Sequence, residues 1–237
     1  MIIRFHIFLF LFISINLYAQ QPVIEYSPYS DKAQINEIDK KITDSIYNFV
    51  KNELTFIDFE DCNNCDSRAH LISAIIEKKF KVRVSKVWLF TDYKRASQAE
   101  KYKYKPDAYL TYGDDCTRWK YHVAPIVVIK HEEMADTIVI DLSTQDAPVS
   151  LKDWALNLIK PNEKGYLVVK NKLYYSFPDD VTGKFEDTKE LWVDDENKQL
   201  FDIDYSTSID RILTAKYGYW DQWNYRFWQN ELQDMLR

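Results

Sequence analysis

Cysteine is scarce in this chain: three of 237 residues, Cys62, Cys65 and Cys116. None precedes Cys62, which excludes a lipid-carrying cysteine at the start of an exported chain. A second long apolar run is missing too. After residues 7–13 no stretch is long and apolar enough to span a bilayer, so no membrane domain is expected. There is no basic excess either, since 31 Lys and Arg stand against 37 Asp and Glu. Nucleic-acid binding needs a cationic face to replace counterions, and that partner class is set aside. The locally basic stretch at residues 94–105, with Tyr102 and Tyr104 interleaved, reads as a solvated loop; a rim favouring acidic substrates is the sharper alternative. No internal repeat and no low-complexity linker is present.

What is there describes a globular protein, 46% hydrophobic and 29% charged. Residues 1–19 read as a secretory signal peptide: Arg4, an apolar run, then Leu17-Tyr18-Ala19 as a cleavage site. The expected product is an exported protein, periplasmic or secreted, free of the membrane after cleavage. Loss of Arg4 takes the formal net charge from −6 to about −7. Residues 20–60 form an N-terminal extension: a loose leader with Pro22 and Pro28, then an amphipathic helix over 36–54 carrying Ile38, Ile42, Ile46, Phe49, Val50 and Leu54 at helical spacing. Residues 61–160 form the core. Residues 161–237 add strands and an aromatic-rich helix packed on that core.

Within the core, strands are expected at 82–90, 119–129 and 137–141, and beyond it at 165–170, 173–177 and 191–193. Pro125 falls inside the strongest strand and predicts a bulge or an edge there, because proline cannot donate to a ladder. From about Ser206 the chain turns helical, interrupted at Gly218. Trp220, Trp223, Phe227, Trp228 and Leu232 make a stripe that reads as a cover for the core.

The stretch Asn63-Asn64-Cys65-Asp66-Ser67-Arg68-Ala69-His70 reads as a polar loop turning into a helix. Asn63 or Asn64 is the expected N-cap, and Asp66 places an acid where the helix dipole favours one. At 100° per residue Cys65, Ala69, Ile72 and Ile76 share the buried face. A thiol at a helix start has its thiolate stabilised by first-turn amides, which suits a nucleophile. The alternative is a core cysteine. His70 lies about 140° round the helix from Cys65 and is poorly placed as its base.

His122 begins one strong strand and Asp141 ends the next, with a short connector that holds His131 and favours an antiparallel hairpin. A turn near Glu132 sets His122 opposite Asp141, give or take two residues. A carboxylate at cross-strand distance can orient an imidazole. If the helix start packs on this hairpin, Cys65, His122 and Asp141 make a nucleophile, a base and an orienting acid. The dull alternatives are a turn-forming Asp141 and a hydrogen-bonded core His122.

An odd cysteine count in an oxidising compartment leaves one thiol free. Cys62 with Cys65, Cys65 with Cys116 and Cys62 with Cys116 are all possible pairs, and only the last leaves Cys65 free to react. That pairing is the expectation. A metal site is not expected, since half of a zinc-ribbon spacing is missing, and no cofactor is called for.

Cys65-Asp66-Ser67-Arg68-Ala69-His70 resembles the Cys-x-x-Arg-Ala-His segment at the nucleophile of bacterial protein-glutaminases. Trp119-Lys120-Tyr121-His122-Val123-Ala124 resembles their Trp-x-Tyr-His-Val-Ala segment. Val139-Ile140-Asp141 with Ser143 resembles their Ile-Ile-Asp-Pro-Ser, and Pro148, Val149 and Trp154 follow the downstream pattern. The resemblance covers roughly residues 61–158. It implies an α+β, papain/transglutaminase-like fold, with the cysteine-bearing central helix packed on an antiparallel sheet. It also implies catalytic roles for Cys65, His122 and Asp141. The implied reaction is deamidation of glutamine side chains in proteins or peptides through a thioester. A monomer acting on a protein or peptide substrate is expected. A cysteine protease or a transglutaminase-type acyltransferase would share the acyl-enzyme, and a non-catalytic binding module could share the fold. Leu142 replaces the family's proline and Asn64 its glycine. Pro125 interrupts the apolar run after the histidine, and the region before residue 61 is short for an inhibitory pro-segment.

Overall fold

The computed structural model describes residues 22–27, 30, 32–60, 63–91, 110–112, 116–119, 121–131, 134–172, 198–218 and 220–236. The signal-peptide stretch, Cys62, the basic stretch and the strands expected at 173–177 and 191–193 lie outside them. So does any test of a Cys62–Cys116 bridge; Cys65 itself is a free thiol.

In chain order the described elements are β1 (Val23–Tyr26), β2 (Ile35–Asn36), α1 (Lys41–Glu53), α2 (Cys65–Phe80), β3 (Ser85–Phe90), β4 (Leu110–Tyr112), β5 (Cys116–Trp119), β6 (Tyr121–His131), β7 (Met134–Val139), β8 (Val149–Ser150), α3 (Leu151–Leu158), β9 (Lys164–Asn171), α4 (Lys198–Tyr217) and α5 (Gln222–Leu236). One sheet runs β1-β9-β3-β6-β7-β8, with β2 also paired to β6; β4 and β5 make a separate pair. Among the described residues only the β1–β9 and β2–β6 pairings are parallel. The expected α+β architecture, a cysteine-bearing helix against a mostly antiparallel sheet, is what the chain adopts.

The alternation of β6 sorts the core onto two faces. Val127 and Ile129, with Ile138 and Ile140, meet α1, α2, α4 and α5. Ala124 and Ile126, with Val139, meet Leu151, Trp154, Ala155 and Leu158 of α3. Such segregation follows from the two-residue period of a strand. Every residue of α2 from Ser67 to Ile76 is buried, more than a single apolar stripe would require, so this helix is enclosed on all sides. It stops at Lys81, in the left-handed conformation at φ 57°, whose N–H returns to Glu77 O at 3.0 Å.

Several elements depart from expectation. The supposedly loose leader supplies β1 and β2; both are short and gain stability only by adding to existing strands, which local pattern does not reveal. The N-terminal helix begins at Lys41, so Ile38 precedes it. Strand β6 continues through His131, which pairs with Met134, where a connector was expected. Helix α3 was not anticipated. Its Ser150 cap accepts from Asp153 N at 3.1 Å and donates to Asp153 Oδ2 at 2.6 Å. The terminal helical region starts at Lys198, not Ser206, and breaks at Gly218 (φ 59°), as the glycine foretold. The aromatic stripe splits: Trp228 packs on Phe56 and Leu232 is buried, but Trp220 and Trp223 are 97% and 74% exposed. No helix among the described residues is long and apolar enough to cross a membrane.

Candidate active site

Pro125 makes no bulge. It pairs with Lys86 of β3 in unbroken register. Its missing N–H faces β7 instead, where Ile140 N donates to Pro125 O at 3.0 Å as the last rung. Two residues earlier on the same edge, the Val123 amide would meet the next rung of β7. Instead Cys65 packs on the cluster that holds Val123, and that amide favours the charged form of its sulfur. The sheet has opened at the place where the start of α2 comes in.

Asn64 sets that start. It is left-handed, at φ 60°, and does not make the expected side-chain cap. Asparagine is among the few residues besides glycine that tolerate this conformation, which accounts for Asn64 standing in the position of a family glycine. The Asn63 carbonyl accepts instead from Arg68 Nη1 at 2.6 Å. Buried Arg68 thereby clamps the preceding loop onto the first turn.

His122 and Asp141 are joined. His122 Nε2 lies 2.9 Å from Asp141 Oδ2, and both residues are buried. Asp141 sits just past β7, and the observed register sets it across from Ala124, two residues off the expected partner and within the stated margin. The carboxylate is held from all sides. Trp154 Nε1 donates to Oδ2 at 2.8 Å, Thr144 Oγ1 donates to the same oxygen, and Ser143 donates to Oδ1 through its amide and its hydroxyl. Tyr47 Oη anchors the turn by donating to Gln145 O at 2.6 Å. Burial pushes the Asp141 carboxyl up, but His122 and the two hydroxyls more than offset it and hold the acid well below the usual carboxylate range. A carboxylate so fixed makes Nε2 the protonated nitrogen and leaves Nδ1 as the basic one.

Cys65 is partly buried. Its thiol donates to Asp66 Oδ1 at 3.5 Å, and Tyr121 Oη donates to Asp66 Oδ2 at 3.0 Å. The expected stabilised thiolate is not what surrounds it. Burial raises the thiol well above its ordinary value, the Asp66 charge raises it further, and Arg68 and the Val123 amide recover only part of that. Cys65 is thereby held as a neutral thiol.

The structure therefore binds His122 to Asp141 and brings Cys65 to Val123, the neighbour of His122 in β6. His70 lies elsewhere: buried, stacked on Tyr205 at 4.7 Å, with Nδ1 3.1 Å from Lys86 Nζ. Sequence reasoning missed the Trp154, Ser143 and Thr144 bonds to Asp141 and the Asp66–Tyr121 bond. The Ser-Thr pair just after Asp141 and the Ser150-x-x-Asp153 cap ahead of Trp154 were the available signals. Among the described residues no group of three or more His, Cys, Asp or Glu is placed to hold a metal.

A thiol at a helix start beside a histidine–aspartate pair supplies the components that a thiol-dependent hydrolase needs. A family model described as Glutaminase, of the glutamine-deamidase type, matches residues 35–158, over half of the chain, and the chain belongs to that family. Among solved structures, a crystal structure of a pro-protein-glutaminase matches at 18% identity with a TM-score of 0.44. That match covers 65% of this chain and 56% of the other; so loose a superposition identifies nothing alone. No curated protein matches the chain.

Proposed function

We propose that this protein is an exported amidohydrolase that converts glutamine side chains of proteins or peptides to glutamate. The observation that carries the reading is the thiol of Cys65 at the Val123 amide, one residue from a histidine fixed by a buried aspartate, in a chain of the glutaminase family. Cys65 passes its proton to Nδ1 of His122 as sulfur attacks the side-chain carbonyl carbon. The oxyanion faces the Cys65 backbone amide at the start of α2. His122 returns the proton to the departing nitrogen, ammonia leaves, and a thioester remains. His122 then takes a proton from water, which attacks the thioester; glutamate departs and the thiol is restored. Asp141 keeps the imidazole in the required tautomer throughout.

Glutamine within a polypeptide should be used far better than free glutamine, because flanking backbone supplies binding energy for positioning. The enzyme is read as a monomer, with no nucleic-acid partner and no membrane attachment after signal cleavage. The test is ammonia release from a blocked glutamine dipeptide, a denatured protein and free glutamine, each beside Cys65→Ala. Release from the first two and not the third is expected. Equal release from free glutamine would make it a small-molecule amidase, and new N-termini without ammonia a protease. Crosslinked product would make it an acyltransferase. No reaction from any of them, with Cys65 inert to iodoacetamide, would leave a binding module.

A further inference from the structure

Asp66 needs more explanation than helix-dipole chemistry offers. A first-turn acid is favoured wherever its carboxylate points. Here the carboxylate is held by a bond from another element: Tyr121 of β6 donates to one oxygen while the thiol donates to the other. Tyr121 precedes His122, and its ring packs on Phe90 with centroids 5.7 Å apart, so the acid is held against the sulfur. Arg68 is the nearby cation, and its guanidinium is turned to the carbonyls of Asn63 and Asp58. A fixed negative charge 3.5 Å from a nucleophile is a poor device for making thiolate. It is a good one for sorting what the nucleophile meets.

We propose that Asp66 is a charge filter at Cys65: its carboxylate, braced by Tyr121, admits a neutral side-chain amide to the sulfur, turns carboxylates away and so expels the acid product. The expulsion half rests on the deamidase reading. In that reaction the substrate arrives neutral and leaves as an anion in the same place, a few ångströms from Asp66. Like charges at that spacing near a protein surface change an equilibrium on the order of tenfold or more.

The test does not need turnover. Intact protein is alkylated with neutral iodoacetamide and anionic iodoacetate, and the Cys65 peptide is quantified by mass spectrometry. Both reagents consume the same thiolate, so the ratio of their rates cancels the thiol's own titration and reports the local charge. The ratio of iodoacetate to iodoacetamide should lie about tenfold below that of free cysteine. It should rise about tenfold in Asp66→Asn and stay low in Asp66→Glu. In steady state, Asp66→Asn should be inhibited about tenfold more tightly by a blocked glutamate dipeptide, with little change in KM for the glutamine dipeptide. An unchanged alkylation ratio in Asp66→Asn overturns the filter, and unchanged product inhibition overturns its role in release. If wild-type protein releases no ammonia at all, the deamidase reading fails while the alkylation ratio still decides the filter.

Discussion

Two histidines are buried to the same degree, His70 and His122, each 1% exposed, and their surroundings give them opposite characters. His122 faces the carboxylate of Asp141 at the opened edge of β6, with Trp154 beside its ring at 5.9 Å. His70 faces the ammonium of Lys86 and the ring of Tyr205 in the layer beneath α2. Burial and then the Lys86 charge push the His70 ring well below its ordinary value, so it stays neutral at physiological pH. Burial alone therefore does not suit a histidine to proton transfer. The sign of the neighbouring charge decides, because only a carboxylate both orients the ring and stabilises it once it carries a second proton.

The contrast is broken most severely by mutating the site itself. Cys65→Ala and His122→Ala should each lower ammonia release by about a thousandfold or more while circular dichroism stays native. His70→Gln should change kcat by no more than a few-fold; a loss as large as that of His122→Ala would mean the roles are misassigned. Asp141→Asn should lose on the order of a hundredfold to ten-thousandfold in kcat. It should also lose about 3 kcal/mol of stability in urea titration, since it removes a buried carboxylate that accepts from His122, Trp154, Thr144 and Ser143. Trp154→Phe removes one bond to that carboxylate and should cost about 1.5–3 kcal/mol, with a smaller loss of rate.

The smallest effects sharpen the comparison through pH. Folded Asp141 holds its proton less tightly than the unfolded chain does, so its stabilisation is full above the unfolded value near 4 and is lost as pH falls below it. Asp141→Asn should flatten that part of the curve. Folded His70 refuses a proton that the unfolded chain accepts near 6.5, so stability should begin to fall below about pH 6.5. His70→Gln should remove that shallower slope. Denaturant midpoints from pH 3 to 8 separate the two contributions.

The helix opening at Cys65 and the antiparallel pairing of His122's strand with Asp141's were legible in the sequence, while the α+β class came with the family resemblance. The signals of the first two are local: a helical face, two β runs and a short connector. What was not legible depended on partners distant in sequence. Strands β1 and β2 exist because β9 and β6 offer edges. The cap at Asn64 failed because the residue adopts a left-handed turn, and Arg68 reaches back to the loop. The thiol's raised titration comes from enclosure and from Asp66, neither of which can be weighed from spacing along a helix. Trp154 read only as a matching letter until its indole was seen to donate to Asp141.

Pro125 was first met as an awkward residue in a strand. In the folded chain it is the stop on a zip. Without it, β6 and β7 are free to close by another pair of rungs, the Val123 amide would be taken by backbone, and Asp141 would be drawn into the ladder. One absent hydrogen atom removes a rung at the last teeth, and just beyond it lie the Val123 amide and the His122–Asp141 pair. Restoring the N–H with Pro125→Ala should therefore make a better sheet and a worse enzyme, with more protection from hydrogen exchange along this edge and slower alkylation of Cys65.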